Sequence, residues 1–114
     1  APKSVLIVED NLIIAMDAEV IFESLGAEEV VVHSSVEGAL DHVERRDEPL
    51  SFALLDINLG SETSFPVALR LRQLGVPFAF ASGYGEGTRL PDELQDIRIL
   101  SKPYDKDAIA SLFG

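Results

Sequence analysis

Short apolar runs alternate along this chain with longer amphipathic stretches, and this alternation restricts the fold more than any other feature of the sequence. A strand that is apolar through its whole length has to be buried on both faces, as strands are in a parallel sheet covered by helices. Five segments built around such apolar runs are predicted to be strands, at residues 4–8, 29–33, 51–55, 76–81 and 97–101. We therefore expect an α/β fold with a doubly wound, five-stranded parallel sheet.

The stretches between these runs have the apolar spacing and the end signals of helices. Helices are predicted at residues 11–25, 34–48, 65–74 and 105–113. Asn11 and Asp105 are expected to be N-caps, and Ser34 has capping-box spacing with Glu37.

The fourth strand ends in the sequence PFAFASGYGEG, where one hydroxyl residue, Ser82, is followed by three glycines around Tyr84. The helical signal over residues 85–96 is poor, because two glycines and Pro91 interrupt it. We therefore expect a short or disordered fourth helix.

Composition and charge narrow the classes of function. With 114 residues, 46% of them hydrophobic, the chain has the size of one domain, and we expect a single domain over residues 1–114. It contains no cysteine, so disulfides, thiolate metal sites and a cysteine nucleophile are excluded. A net charge of −11 disfavours direct binding of nucleic acid. The apolar runs are far shorter than the roughly 20 residues of a membrane-spanning helix, so we expect a cytoplasmic protein that does not bind membranes.

Polar side chains follow the predicted strands at their carboxyl ends, which is the edge where open parallel sheets bind ligands. Glu9 and Asp10 follow the first strand, and Asp56 follows the third. Ser82 ends the fourth strand, and Lys102 follows the fifth. We expect three carboxylates, one hydroxyl and one ammonium group to converge at this edge.

This set of groups fits phosphoryl transfer to a carboxylate. Clustered carboxylates repel one another, and Mg²⁺, which prefers oxygen ligands, would relieve that repulsion. A carboxylate can attack phosphorus and form an aspartyl phosphate, while an ammonium group and a hydroxyl donor stabilise the developing charge. Taken singly, adjacent acids such as Glu9 and Asp10 are more often solvated or helix-capping, because the N-terminus of the following helix favours negative charge. Asp56 is different, because an acid that ends a fully apolar strand has little structural reason to be there.

Four segments, VLIVEDN, LLDINL, FASGY and LSKPY, together resemble the receiver domain of two-component response regulators, over essentially the whole chain. The resemblance implies a flavodoxin-like (CheY-like) sheet with strand order 2-1-3-4-5. It also implies that a histidine kinase or a histidine phosphotransfer protein transfers a phosphoryl group to Asp56, and that this transfer switches binding to an unknown downstream protein. The implied Mg²⁺ ligands are Glu9, Asp10, Asp56 and the backbone carbonyl of Asn58.

The same resemblance assigns roles to residues near the ends of the last two strands. Lys102 corresponds to the lysine that binds the phosphoryl group, and Ser82 to the Ser or Thr that follows that group. Pro103 corresponds to the family's proline, which is typically preceded by a cis peptide bond. The family consists of signalling modules, which catalyse only their own phosphorylation and dephosphorylation.

The chain departs from the family at two positions. Ile99 lies three residues before the lysine, where most receivers carry Tyr or Phe, and Gly60 replaces the usual proline four residues after the aspartate, which predicts a more flexible loop. PFAFASG is similar to the PFxFAT(G) motif of a subgroup of alphaproteobacterial receivers, whose members have a poorly formed fourth helix. We therefore expect Ser82 and Tyr84 to form the switch.

Two alternative functions remain open. A phosphatase of the haloacid-dehalogenase type also forms an aspartyl phosphate, but it needs an acid two residues after the nucleophile to protonate the leaving group, and that position is Asn58 here. The second alternative is a receiver-like scaffold that never carries phosphate, against which the intact set of chemical positions argues.

Overall fold

A computed structural model of the chain describes residues 2–83 and 89–113. Its main feature is a parallel sheet with the strands Ser4–Val8 (β1), Glu29–His33 (β2), Phe52–Asp56 (β3), Phe78–Ser82 (β4) and Ile99–Ser101 (β5). When only the strands of this sheet are numbered, their order is β2-β1-β3-β4-β5, and every neighbouring pair is parallel. This order agrees with the predicted flavodoxin-like topology, in which the direction of winding reverses between β1 and β3.

The helices of the described residues are Leu12–Ser24 (α1), Val36–Arg45 (α2), Phe65–Gln73 (α3) and Lys106–Ala110 (α4). Asn11 caps α1 as predicted, because its side-chain oxygen accepts hydrogen bonds from the amides of Ile13 and Ile14 at 3.0 and 3.2 Å. Within residues 2–83 and 89–113, no helix combines the length and the apolar character that crossing a membrane requires.

Of the other two predicted helix caps, one is confirmed and one is wrong. Asp105 caps α4 by accepting a hydrogen bond from the amide of Ala108 at 2.8 Å. The expected capping role of Ser34 is wrong by one residue, since Ser35 accepts the hydrogen bond from the amide of Gly38 at 3.1 Å. The physical reason is that an N-cap is extended and directly precedes the first helical residue, and Ser35 has φ −138° and ψ 159° before Val36.

Helices cover both faces of the sheet, which is why β1 and β3 are buried at every position. Alternate residues of β1 belong to two separate cores. Leu6 lies in the core that contains Leu71 of α3, whereas Ile7 lies in the core that contains Phe22 of α1 and Ile109 of α4. The sheet therefore lies between two packed layers of helix, as the predicted doubly wound arrangement requires.

The segment after β3 forms a small antiparallel hairpin where a flexible loop was expected. Asn58–Leu59 pairs with Glu62–Thr63, and Leu59 is buried against the core. Gly60, at the turn of the hairpin, has φ +73°. Proline is fixed near −65° and cannot adopt this conformation, so the turn of the hairpin is not compatible with a proline at position 60.

Between β4 and β5, the only regular element among the described residues is one 3₁₀ turn, Asp92–Leu94. Leu90 and Leu94 anchor this segment by burying their side chains in the core. The short turn agrees with the expected short fourth helix, while the part of that expectation that concerns residues 84–88 lies outside the described residues. β5 begins at Ile99, two residues later than predicted.

Candidate functional site

The residues that follow the strands surround an open cavity of about 740 Å³ at the carboxyl edge of the sheet. They meet there because the strands are parallel and level with one another, with Val8 beside Leu55 and Asp56 beside Ala81. The cavity is lined by Glu9, Asp10, Asn11, Ile14, Asp56, Asn58, Gly60, Gly83, Lys102 and Pro103. The structure therefore brings together the two acids after β1, the acid that ends β3 and the lysine after β5.

The ammonium group of Lys102 bridges two buried carboxylates. Its Nζ lies 2.7 Å from Oε1 of Glu9 and 3.0 Å from Oδ2 of Asp56. The side chains of Glu9 and Asp56 are 2% and 3% exposed, and that of Lys102 is 11% exposed. Burial lowers the pKa of Lys102, but the hydrogen bonds to Glu9 and Asp56 outweigh burial and raise it, so the ammonium group stays charged at neutral pH.

Asp56 is the most perturbed carboxyl group of the site. Burial is the largest cause, and together with the neighbouring Glu9 carboxyl group it raises the pKa of Asp56 to about 7, against the lowering effect of Lys102. Its second oxygen, Oδ1, is buried and has no hydrogen-bond partner in the part of the chain that the structure describes. A buried carboxylate oxygen without a partner is costly, and a cation or an electrophile would relieve that cost.

The acids of the cavity are arranged as ligands of a hard cation. Glu9, Asp10 and Asp56 each offer an oxygen, and these three oxygens lie within 4.8 Å of one another. Glu9 is held in place because its Oε2 accepts a hydrogen bond from the amide of Asn11 at 3.1 Å, while Asp10 is exposed. An Asp56 oxygen without a partner among the described residues and an all-oxygen donor set fit Mg²⁺, which prefers oxygen ligands.

Two further predicted residues lie at the ends of β4 and β5. Ser82 is half-buried and pairs in register with Ser101, and its backbone carbonyl accepts a hydrogen bond from the amide of Lys102 at 2.8 Å. Its neighbour Gly83 lines the cavity. The peptide bond between Lys102 and Pro103 is cis. Tyr84, the expected second residue of the switch, lies outside the described residues.

Two residues at or near this site were not singled out from the sequence. Ile14 lines the cavity, and Tyr104 lies close enough that burial, Glu9 and Asp56 all raise the pKa of its hydroxyl. The position of Tyr104 directly after the Lys-Pro pair was the available signal for it. Ile14 carries no such signal, because its apolar side chain fits the helical pattern of α1 equally well.

Similarity to known proteins was found in solved structures but not in family models. No protein-family model matches the chain. The solution structure of SdrG from Sphingomonas melonis Fr1 is 38% identical and superposes with a TM-score of 0.83, over 96% of this chain and 91% of that one. The BeF₃-activated conformation of SdrG, from Pseudomonas melonis Fr1, gives a TM-score of 0.76 with the same identity and coverage.

Two more distant proteins have the same fold or a similar sequence. A response regulator receiver domain (CheY-like) from Methylobacillus flagellatus is 23% identical, with a TM-score of 0.76 over 98% of this chain and 96% of that one. The sensory transduction protein LytT of Bacillus subtilis (strain 168) is 29% identical over 108 residues, which is 92% of this chain and 44% of that protein. The chain thus spans less than half the length of this curated relative.

Proposed function

This chain belongs to the receiver domains of response regulators, the phosphoacceptor modules of two-component signalling, and we propose on that basis that Asp56 accepts the phosphoryl group. The observation that carries the proposal is the state of its carboxylate. Asp56 ends β3 in a buried position, one of its oxygens contacts the Lys102 ammonium group, and the other oxygen has no partner among the described residues. Receiver domains are phosphorylated by histidine kinases, so the proposed donor is the phosphohistidine of a kinase or of a histidine phosphotransfer protein.

The transfer step assigns a task to each side chain. An Asp56 oxygen attacks phosphorus and forms the new O–P bond, while the P–N bond of the phosphohistidine breaks and its electron pair stays on the imidazole nitrogen, which takes up a proton from solvent. Oδ2 of Asp56 accepts a hydrogen bond from the Lys102 ammonium group, which fixes the orientation of the carboxylate. The Lys102 ammonium group has three protons and contacts two carboxylates, so one proton remains for a phosphoryl oxygen.

Two further groups complete the proposed machinery. The Ser82 hydroxyl donates a hydrogen bond to a phosphoryl oxygen, which its position at the end of β4, beside the cavity-lining Gly83, supports. The cavity is open, so water reaches the aspartyl phosphate and ends the signal by hydrolysis, a reaction that the chain promotes on itself. Asn58 and Tyr84, each two residues beyond a reacting group, tune the lifetime of the phosphorylated state.

Glu9, Asp10, Asp56 and the backbone carbonyl of Asn58 would hold Mg²⁺ in this cavity. When bound, the ion supplies positive charge that offsets both the repulsion among these carboxylates and the charge on the phosphoryl oxygens. The three side chains contribute by keeping their oxygens close together before any ion arrives, so binding needs little rearrangement.

The proposed docking surface for the phosphohistidine donor is on α1. Four apolar side chains of α1, each more than half exposed, form this α1 surface: Leu12, Ile13, Met16 and Val20. At about 100° per residue, these positions fall within one sector of about 100° of the helix. The surface begins directly beside Asn11, which lines the cavity. A partner that covers these side chains is thus brought to the entrance of the site, and contiguous exposed apolar residues are typical of protein interfaces.

The proposed output is a change in protein–protein contact through Ser82 and Tyr84, to a downstream protein that the sequence does not identify. We place the chain in the PFxFAT(G) subgroup on the strength of its PFAFASG segment. Two observations support a switch at this end of β4. Ile99 on β5 offers an exposed aliphatic side chain in place of a ring, and a single 3₁₀ turn is the only regular element described between β4 and β5.

Incubation with acetyl phosphate and Mg²⁺, followed by intact-protein mass spectrometry, tests the proposed function. We expect the mass to rise by one phosphoryl group in the wild type and in Asp47→Asn, which changes an exposed acid remote from the cavity, but not in Asp56→Asn. A wild-type chain that gains no mass would favour the scaffold alternative. Steady multiple turnover of a phosphomonoester would favour the phosphatase.

A further inference from the structure

The hairpin after Asp56 connects the proposed phosphoryl site to the first turn of α2. One of its strands carries Asn58, which lines the cavity, and the other carries Glu62. The Oε2 atom of Glu62 accepts a hydrogen bond from the amide of Val36, the first residue of α2, at 3.2 Å. Residues that are 26 positions apart in the chain are joined by this contact.

The start of α2 is well suited to hold a carboxylate. The first amides of a helix have no partner within the helix, and the helix dipole favours negative charge at that end. In α2, the Ser35 hydroxyl accepts a hydrogen bond from the amide of Gly38, and Glu62 accepts the one from Val36. Glu62 therefore acts as a second cap of α2, supplied from the hairpin.

Among the contacts described for the hairpin, three hold it in place, and Glu62 provides the outermost of these. Leu59 is 5% exposed and anchors one strand in the core. The amide of Ser64 donates a hydrogen bond to the carbonyl of Ile57 at 3.0 Å, which closes the base of the hairpin. Glu62 lies directly across the ladder from Leu59, so its bond to α2 restrains the end of the hairpin near the turn.

We propose that Glu62 is a positioning residue of the phosphoryl site: its bond to the start of α2 fixes the hairpin, and the fixed hairpin holds the Asn58 carbonyl toward the cation. The inference rests on the proposed function, because it assigns Asn58 to the Mg²⁺ ligands. A contact that favours the cation-binding arrangement is favoured by the cation in return. Mg²⁺ therefore strengthens the Glu62 contact, and the first turn of α2 senses whether the cation site is occupied.

The experiment compares four versions of this chain: wild type, Glu62→Ala, Glu62→Gln and Glu37→Ala. Glu37 is the matched control, since it is an exposed acid in the same first turn of α2. Mg²⁺ affinity is measured by isothermal titration calorimetry. We expect Glu62→Ala to weaken Mg²⁺ binding about fivefold, which is the net effect of losing one ordinary, solvent-exposed hydrogen bond. Glu62→Gln keeps an acceptor oxygen, so its Mg²⁺ affinity should lie between those of the wild type and Glu62→Ala. Glu37→Ala should bind Mg²⁺ within about twofold of wild type.

Amide hydrogen exchange provides a second readout that a purely structural cap would not change. In the wild type, Mg²⁺ should slow exchange of the Val36 amide by a similar factor, and this effect should be lost in Glu62→Ala. Unchanged Mg²⁺ affinity in Glu62→Ala, with no Mg²⁺-dependent protection of Val36 in the wild type, would show that Glu62 only caps α2. That result leaves the proposed function intact, whereas a wild-type chain that binds no Mg²⁺ and accepts no phosphoryl group overturns both.

Discussion

Replacing Asp56 with Asn should stabilise the fold when no divalent cation is present. The Asp56 carboxylate is 3% exposed, one of its oxygens has no partner among the described residues, and a second buried acid, Glu9, shares its ammonium partner. Native packing therefore disfavours the charged form of Asp56 relative to the unfolded chain, where the group is hydrated. Asn has nearly the same shape and removes the charge, so it should relieve this cost.

The magnitude follows from the pKa of Asp56, which burial, first of all, raises from 3.8 to about 7. Asp56 binds its proton more tightly in the native state than in the unfolded state. Its full contribution to the free energy of unfolding is therefore present below about pH 4, and this contribution is lost as the pH rises towards and past 7. At about 1.4 kcal/mol per pKa unit, the loss reaches an upper limit of about 4 kcal/mol at pH 8, against about 2 kcal/mol at pH 5. Asp56→Asn should therefore gain more stability at pH 8 than at pH 5.

Urea unfolding followed by circular dichroism, in a chelator, measures this difference, and the absence of tryptophan makes circular dichroism the suitable signal. Asp47→Asn, at an exposed position, should show no comparable pH-dependent gain. Adding Mg²⁺ should stabilise the wild type more than Asp56→Asn, because the proposed Mg²⁺ site includes the Asp56 carboxylate. If Asp56→Asn is less stable than the wild type at pH 8 in chelator, or differs from it equally at both pH values, the carboxylate is not held at a cost and the reasoning is wrong.

Two further predictions concern the hairpin and the α1 surface. Gly60 and Gly75 have φ of +73° and +74° and open space where a Cβ would lie, so Gly60→Ala and Gly75→Ala should each lose about 1 kcal/mol of unfolding free energy. Only Gly60→Ala, at the cavity, should also weaken Mg²⁺ binding. Equal Mg²⁺ affinities of the two variants would count against a role for the hairpin. Ile13→Asp should slow phosphotransfer from the partner's phosphohistidine by about tenfold in stopped-flow assays and leave the reaction with acetyl phosphate unchanged. Leu74→Asp, at another exposed apolar position, should affect neither reaction. If Ile13→Asp slows both reactions equally, the defect lies in the phosphoryl site and not in docking.

Most of the site could be anticipated from the sequence because its residues directly follow strands. Parallel strands bring their carboxyl ends to one edge, so an acid after β1, an acid ending β3 and a lysine after β5 have to meet there once the strands are recognised. Glu62 could not be anticipated in this way, because it lies in a segment without a strand pattern. Its contact with Val36 depends on a turn at Gly60 that the sequence presents only as a missing proline.

The capping of α2 shows a second limit of sequence reasoning. Ser34 and Ser35 are adjacent and chemically identical, and the spacing to Glu37 favoured the first. The structure selects Ser35, because the cap depends on which residue is extended at the end of β2, and packing of the helix on the sheet sets that position.

Fold class and the identity of the acids and the lysine were determined by the sequence alone, because burial imposes a periodicity on strands and helices that can be read locally. The strand order followed from the resemblance to receiver domains. The tertiary structure alone decided that Lys102 pairs with both Glu9 and Asp56, that Asp56 keeps one oxygen without a described partner, and that the following loop is a hairpin. These features arise from distances between segments far apart in the chain, and such distances are set by packing of the whole domain.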